Sequence, residues 1–167
     1  KISIVMPNYN SSFFFEQTIK SIIKQSFLDW ELIIVDDNSN FQTKKILKKY
    51  SKRKKIRIFF LKRNRGDGYC RLYGIKKACS NIIAFIDSDD IWKKNKLKLQ
   101  YNFMKKYNLN FSYTQYNAFK ENSFKKRVFP PNKLNYENFT KNTSIATSSM
   151  MIRKKLFNKI KLSNSPN

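Results

Sequence analysis

Apolar and polar positions come in alternating blocks along the first part of the chain. Residues 2–6, 30–35, 56–61 and 82–86 are short, mostly apolar runs rich in isoleucine. This is the pattern of strands buried on both faces of a parallel sheet. Between them apolar residues recur at helical spacing: Phe15, Ile19, Ile22 and Ile23, then Ile46, Leu47 and Tyr50, then Leu72, Ile75 and Ala78. Ser11 or Ser12 is placed to cap the first of these helices. Turn-forming or acidic clusters follow the runs: Pro7-Asn8-Tyr9-Asn10, Asp36-Asp37-Asn38-Ser39, Asn64-Arg65-Gly66-Asp67-Gly68 and Asp87-Ser88-Asp89-Asp90. The alternation predicts βαβ units with right-handed crossovers, an α/β fold built on a mostly parallel sheet.

After Trp92 the pattern changes. Residues 94–107 read as a helix with Leu97, Tyr101 and Met104 inward, and 110–119 as a half-exposed strand of alternating polar and aromatic residues. Residues 120–131 read as a basic loop. Asn135 is placed to cap a short helix through Phe139, 148–152 reads as a further strand, and 153–160 as a helix. With no internal repeat and no low-complexity linker, we expect one domain over 1–167, in two halves, 1–92 and 93–167.

Composition narrows the picture. At 167 residues, 41% hydrophobic and 28% charged, the chain suits a globular domain with a sizeable core. It begins at Lys1, inside a strand-like run, and we expect a piece of a longer protein. Thirty-five basic residues against 11 acids give a formal charge of +24. Such a charge invites nucleic acid or an anionic membrane as partner. The abundance of Lys, Asn, Ile, Phe and Tyr beside only 3 glycines points instead to compositional bias, and no nucleic-acid partner is expected. The basic run 44–57 reads as a solvated helix face plus connector, with peripheral contact with an anionic membrane as the functional alternative. Cys70 and Cys79 have neither metal nor redox spacing and read as free thiols in a reducing compartment. His is absent, which removes the usual neutral-pH general base.

The chemistry concentrates at the strand ends. Asp36-Asp37 and Asp87-Ser88-Asp89-Asp90 each follow a buried-looking strand, so in a parallel sheet both emerge on one edge, where open α/β sheets bind ligands. That density of carboxylates calls for compensating positive charge. Arg71 is one candidate, and a hard divalent cation such as Mg²⁺ or Mn²⁺, suited to oxygen ligands, is another. A solvated acidic turn that caps the following helix is the structural alternative, with Asp90 as the cap. There is no Gly-x-Gly-x-x-Gly or Walker-type loop, which argues against a dehydrogenase or an ATPase.

The order SIVMPNYN (3–10), IIVDDNS (33–39), the Asn64-x-Gly66 loop with Arg71 and Gly74, and FIDSDDIW (85–92) resembles the family 2 glycosyltransferases of GT-A fold. NTSIATSSMMI (142–152) is similar to the acceptor-side half of bacterial members that build surface polysaccharides. The resemblance implies a C-terminally truncated GT-A domain, 1–92 binding the nucleotide sugar and 93–167 forming part of the acceptor side. It also implies inverting, metal-dependent transfer of a sugar, by family habit from a UDP donor, to a saccharide or lipid-linked acceptor. Pro7 and Tyr9 would line the base, Asp37 would accept a hydrogen bond from it, and Asp36 would support the turn. Asn64 and Ser88 would belong to the donor site, and Arg71 would neutralise phosphate charge. Asp87 would reach the ribose or the metal, and Asp89 would be the metal ligand bridging to the diphosphate. The location implied is cytoplasmic, peripheral at the inner membrane.

The general base of the family has no counterpart here. Of the eleven acids, only Asp67, Glu121 and Glu137 remain unassigned by helix, strand or donor site. None has the acidic, aromatic-flanked setting the family uses, so the base is expected beyond Asn167. The alternatives are a donor-binding module lacking its base and, lower, a basic nucleic-acid-binding domain. The sequence names neither sugar, acceptor, linkage nor oligomeric state.

Overall fold

A computed structural model describes residues 1–11, 14–120, 123–132, 137 and 144–158. Strands β1 (Ile2–Asn8), β2 (Trp30–Asp36), β3 (Ile56–Phe60) and β4 (Ile82–Phe85) alternate with helices α1 (Phe15–Ile23), α2 (Phe41–Tyr50) and α3 (Asp67–Lys77). Helix α4 (Lys96–Lys106) leads to β5 (Phe111–Ser112), a hairpin β6 (Tyr116–Lys120) and β7 (Ser123–Val128), and β8 (Met151–Arg153). The main sheet has the order β3-β2-β1-β4-β8-β5. The first four strands are parallel, and β8 is antiparallel to both β4 and β5.

The period of two along each strand splits the core into two layers. Ile2, Ile4, Met6, Leu32 and Ile34 pack with Phe15, Ile19 and Ile22 of α1, Leu47 of α2, and Leu97 and Met104 of α4. Val5, Ile33, Val35, Ile83 and Phe85 meet Cys70 and Ile75 of α3 on the opposite face. Burial on both faces explains why these strands read as nearly continuous apolar runs. The amino edges are tied by Glu31, which accepts from Ser3 Oγ at 2.6 Å, the Cys79 amide at 2.8 Å and Arg57 at 3.2 Å. Burial alone would raise the Glu31 pKa. The bonds from Ser3, Cys79 and Arg57 outweigh it and hold the carboxyl below its ordinary value.

The α/β reading therefore stands, with corrections at the element ends. Ser11 does not cap α1: its hydroxyl bonds to Asn8 Oδ1, and Phe14 holds the cap position without a side-chain bond. Ser12 lies outside the described residues. Nor does Asp90 cap α4, whose N-cap is Asn95, again without a side-chain bond. The stretch 110–119 is two strands rather than one, since the chain leaves the sheet after Ser112. The basic stretch after Lys120 is strand β7, not loop. Thr147–Ser149 is a 3-10 turn ahead of β8, and Lys154–Phe157 is another where a longer helix is expected. The helix expected from Asn135 to Phe139 falls outside the described residues apart from Glu137.

Candidate active site

Because β1, β2 and β4 are parallel neighbours, their carboxyl ends share one edge, and the expected site residues gather there. Asp36, the last residue of β2, is fully buried. It accepts from Asn8 Nδ2 at 2.8 Å and from the Ser39 amide at 3.1 Å. Ser39 Oγ in turn accepts from the Asn10 amide at 3.0 Å. Asn10 and Asn38 take left-handed backbone (φ 51 and 62), which asparagine tolerates better than other side-chain-bearing residues. Asp36 thus locks the ends of β1 and β2 into one turn and leaves its neighbour facing the edge.

That neighbour, Asp37, holds the glycine loop. Its two carboxylate oxygens accept from the amides of Arg65 and Gly66, each at 2.7 Å. Gly66 sits at φ 79, in the region that favours glycine. The Cys70 thiol also bonds to Asp37. Burial first, and then the neighbouring Asp37 charge, push that thiol up to about 12, so it stays protonated as a donor. Asn64 is exposed on the same loop.

Helix α3 carries the link onward. Arg71 Nη2 lies 2.6 Å from Asp87 Oδ1 and 3.4 Å from Asp67 Oδ2. The positive charge expected at this rim is therefore supplied by Arg71. Ser88 is half-buried, and its carbonyl accepts from Thr18 Oγ1 at 3.0 Å. Asp89 is exposed, and no described residue bonds its carboxylate. Pro7 is buried at the end of β1, whereas Tyr9 is 52% exposed beside it.

Among the described residues no three acidic, His or Cys side chains form a cage that could hold a metal by themselves. Asp87 has one oxygen on Arg71 and Asp89 is open, so each presents carboxylate oxygen at this edge. Oxygen donors of this kind would suit a hard divalent ion such as Mg²⁺.

Sequence reasoning missed the support behind the acidic loop. Ser148, in the turn before β8, accepts from the Asp87 amide at 2.9 Å, and its hydroxyl bonds to the Asp90 carboxyl. The Ser148 carbonyl accepts from Trp92 Nε1 at 2.9 Å. Burial, with added repulsion from Asp87 and Asp89, raises the Asp90 pKa despite the Ser148 bond. From the other side, Thr18 and Ser21 of α1 and Gln25 just past its end bond to Ser88, Trp92 and Leu97. Their i, i+3, i+7 spacing, on a helix otherwise apolar inward, is the signal that would have found them.

The Glycosyl transferase family 2 model matches residues 3–161. TuaG of Bacillus subtilis (strain 168), named for teichuronic acid biosynthesis as a glycosyltransferase, is 35% identical over 98% of this chain and 66% of its own length. WfgD of Escherichia coli is 33% identical over 94% of this chain and 62% of its own. It is described as a UDP-Glc:alpha-D-GlcNAc-diphosphoundecaprenol beta-1,3-glucosyltransferase. The chain thus spans just under two thirds of these relatives. Among solved structures, S. aureus TarS 1–349 superposes with a TM-score of 0.78 at 25% identity, over 94% of this chain and 48% of that one. A complex of the same S. aureus protein with UDP-GlcNAc gives 0.77 at 24% identity, over 94% and 46%.

Proposed function

We propose, from the premise that the chain belongs to glycosyl transferase family 2, that it is the donor-binding part of an enzyme of bacterial surface-polysaccharide synthesis. It takes a UDP-sugar and passes the sugar, with inversion, to a saccharide or lipid-linked acceptor. The observation that carries this reading is the continuous rim from Asp37 through the Gly66 loop and Arg71 to Asp87. Asp37 fixes the loop beside the base, with Pro7 and Tyr9 on its other side. Arg71 meets the diphosphate, Asn64 and Ser88 border it, and Asp36 holds the turn. Asp87 and Asp89 would hold Mn²⁺ or Mg²⁺, which when bound stabilises the leaving diphosphate.

The acid–base role stays outside the rim. Of the three acids left unassigned, Asp67 is paired with Arg71, Glu121 lies outside the described residues, and Glu137 is exposed and in none of the strands that form the rim. The acceptor-deprotonating base is none of the rim residues, and the relatives run longer than this chain. A donor-binding module without turnover is the second reading, favoured by the same inventory of acids. Among the described residues no helix is long and apolar enough to cross a membrane. A peripheral place at the cytoplasmic membrane face suits a lipid-linked acceptor such as the one named for WfgD.

The test is binding of uridine and UDP to Asp37→Ala. Losing two charge-assisted bonds to the loop, each worth about 1.5–3 kcal/mol, should lower uridine affinity at least about tenfold. Circular dichroism should show the sheet retained. Unchanged uridine affinity in a folded variant contradicts the assignment of the base-binding end.

A further inference from the structure

Two exposed apolar features lie outside the donor site. One is the outer face of α4, where Leu99, Phe103 and Tyr107 stand at four-residue spacing. The other is the β6–β7 hairpin. They sit differently with respect to the rim. Helix α4 follows the acidic loop, and just past its end Asn110 accepts from the Arg153 amide, opposite Ile82 at the start of β4, so the Phe103–Tyr107 end lies toward the amino edge. Strand β5 is parallel to β4, because both are antiparallel to β8: Ser112 pairs with Met151, and Met151 with Ala84. The chain therefore leaves β5 toward the hairpin on the edge that carries Asp87.

Among the described residues the hairpin is a two-stranded ribbon that forms its own sheet. Such a ribbon is marginal in water without a surface to pack on. Phe119 and Phe124 pair across it, edge to face with centroids 6.0 Å apart, yet remain 62% and 56% exposed. Phe129, just past the second strand, is 68% exposed. Lys125, Lys126 and Arg127 follow Phe124 directly and are all exposed. Over 116–129 the sequence holds four basic residues and one acid, Glu121. Exposed apolar rings beside a run of exposed cations suit the interface of an anionic bilayer: the rings enter the acyl boundary while the cations meet the headgroups. The basic face of α2 has the charge without this cluster of rings.

We propose that the β6–β7 hairpin seats the protein on an anionic lipid leaflet, with the carboxyl edge of the sheet facing that leaflet. The use of this contact, presenting a lipid-linked acceptor to the rim, rests on the function proposed above; the contact itself does not need the donor. The test is sedimentation of the full-length protein with vesicles of phosphatidylglycerol and phosphatidylcholine, and with phosphatidylcholine alone. Binding is expected only to the anionic vesicles and should weaken as salt rises. Lys126→Glu should lower partitioning at least about fivefold. Phe124→Ser should give a comparable loss, whereas Phe103→Ser should change nothing. UDP affinity, read in parallel, should be the same in all variants and separates a failure of the donor site from a failure of this contact. Equal binding to neutral vesicles, parental binding by both hairpin variants, a loss confined to Phe103→Ser, or tighter binding to single-stranded RNA than to vesicles would each overturn the proposal.

Discussion

Lys96 shows how closely single residues are fitted behind the acidic loop. Its Nζ is buried without a hydrogen-bond partner and lies 3.9 Å from the centroid of the Trp92 ring. Burial lowers its pKa to about 7, and the indole face offsets part of that penalty by attracting the cation. An unfolded lysine holds its proton up to about pH 10.4. Between about 7 and 10 the unfolded state therefore binds the extra proton, so this group makes the fold more stable as pH rises. Lys96→Met keeps the packed stem and removes the charge. Its denaturation midpoint should equal or exceed the parent's at pH 7 and should lack the parent's gain between pH 7 and 9.5; a large loss at both pH values would show that the cation–ring contact dominates. At this scale the sequence was informative where charge must balance. Arg71 was legible because carboxylates at one edge demand a cation. Ser148 was not, because its role depends on a turn more than fifty residues away meeting the Asp87 amide.

At the scale of elements, α3 is the part that joins the two ends of the rim, and its closeness to the sheet is set by Gly74. A Cβ there would fall 2.5 Å from Val5 Cγ1. Gly74→Ala must push α3 away from β1, with an expected cost of about 1–3 kcal/mol. It should also weaken UDP binding, since Arg71 and the Gly66 loop travel with the helix. Gly68→Ala, in the same helix but facing open space, is the control and should leave chemical denaturation and UDP binding near parental values. Parental stability for Gly74→Ala would contradict the close-packing account. The elements through Trp92 were readable because the helices show their period and the strands, buried on both faces, show continuous apolar runs. The hairpin was not: exposed along nearly its whole length, β7 shows no apolar alternation to betray a strand. The start of α1 misled for a related reason. Ser11 has a stronger local partner in Asn8 than in the helix amides.

For the molecule as a whole, topology does most of the functional work. Parallel β1, β2 and β4 bring Asn8, Asp36, Asp37 and Asp87 to one edge although the sequence separates them widely. That convergence followed from the alternation of strands and helices alone. In the later half the helix over 94–107 and a strand over 148–152 were legible, but the strand bounds were not, because β5 and β8 are two and three residues long, too short to display a period. The central claim is that this edge grips a nucleoside diphosphate through a cation held at Asp87 and Asp89. Titration calorimetry of UDP with and without Mn²⁺, on the parent and on Asp89→Ala, tests it most directly. Metal-dependent UDP binding in the parent and its loss in Asp89→Ala are predicted, while equal, metal-independent affinity in the two proteins would contradict the account.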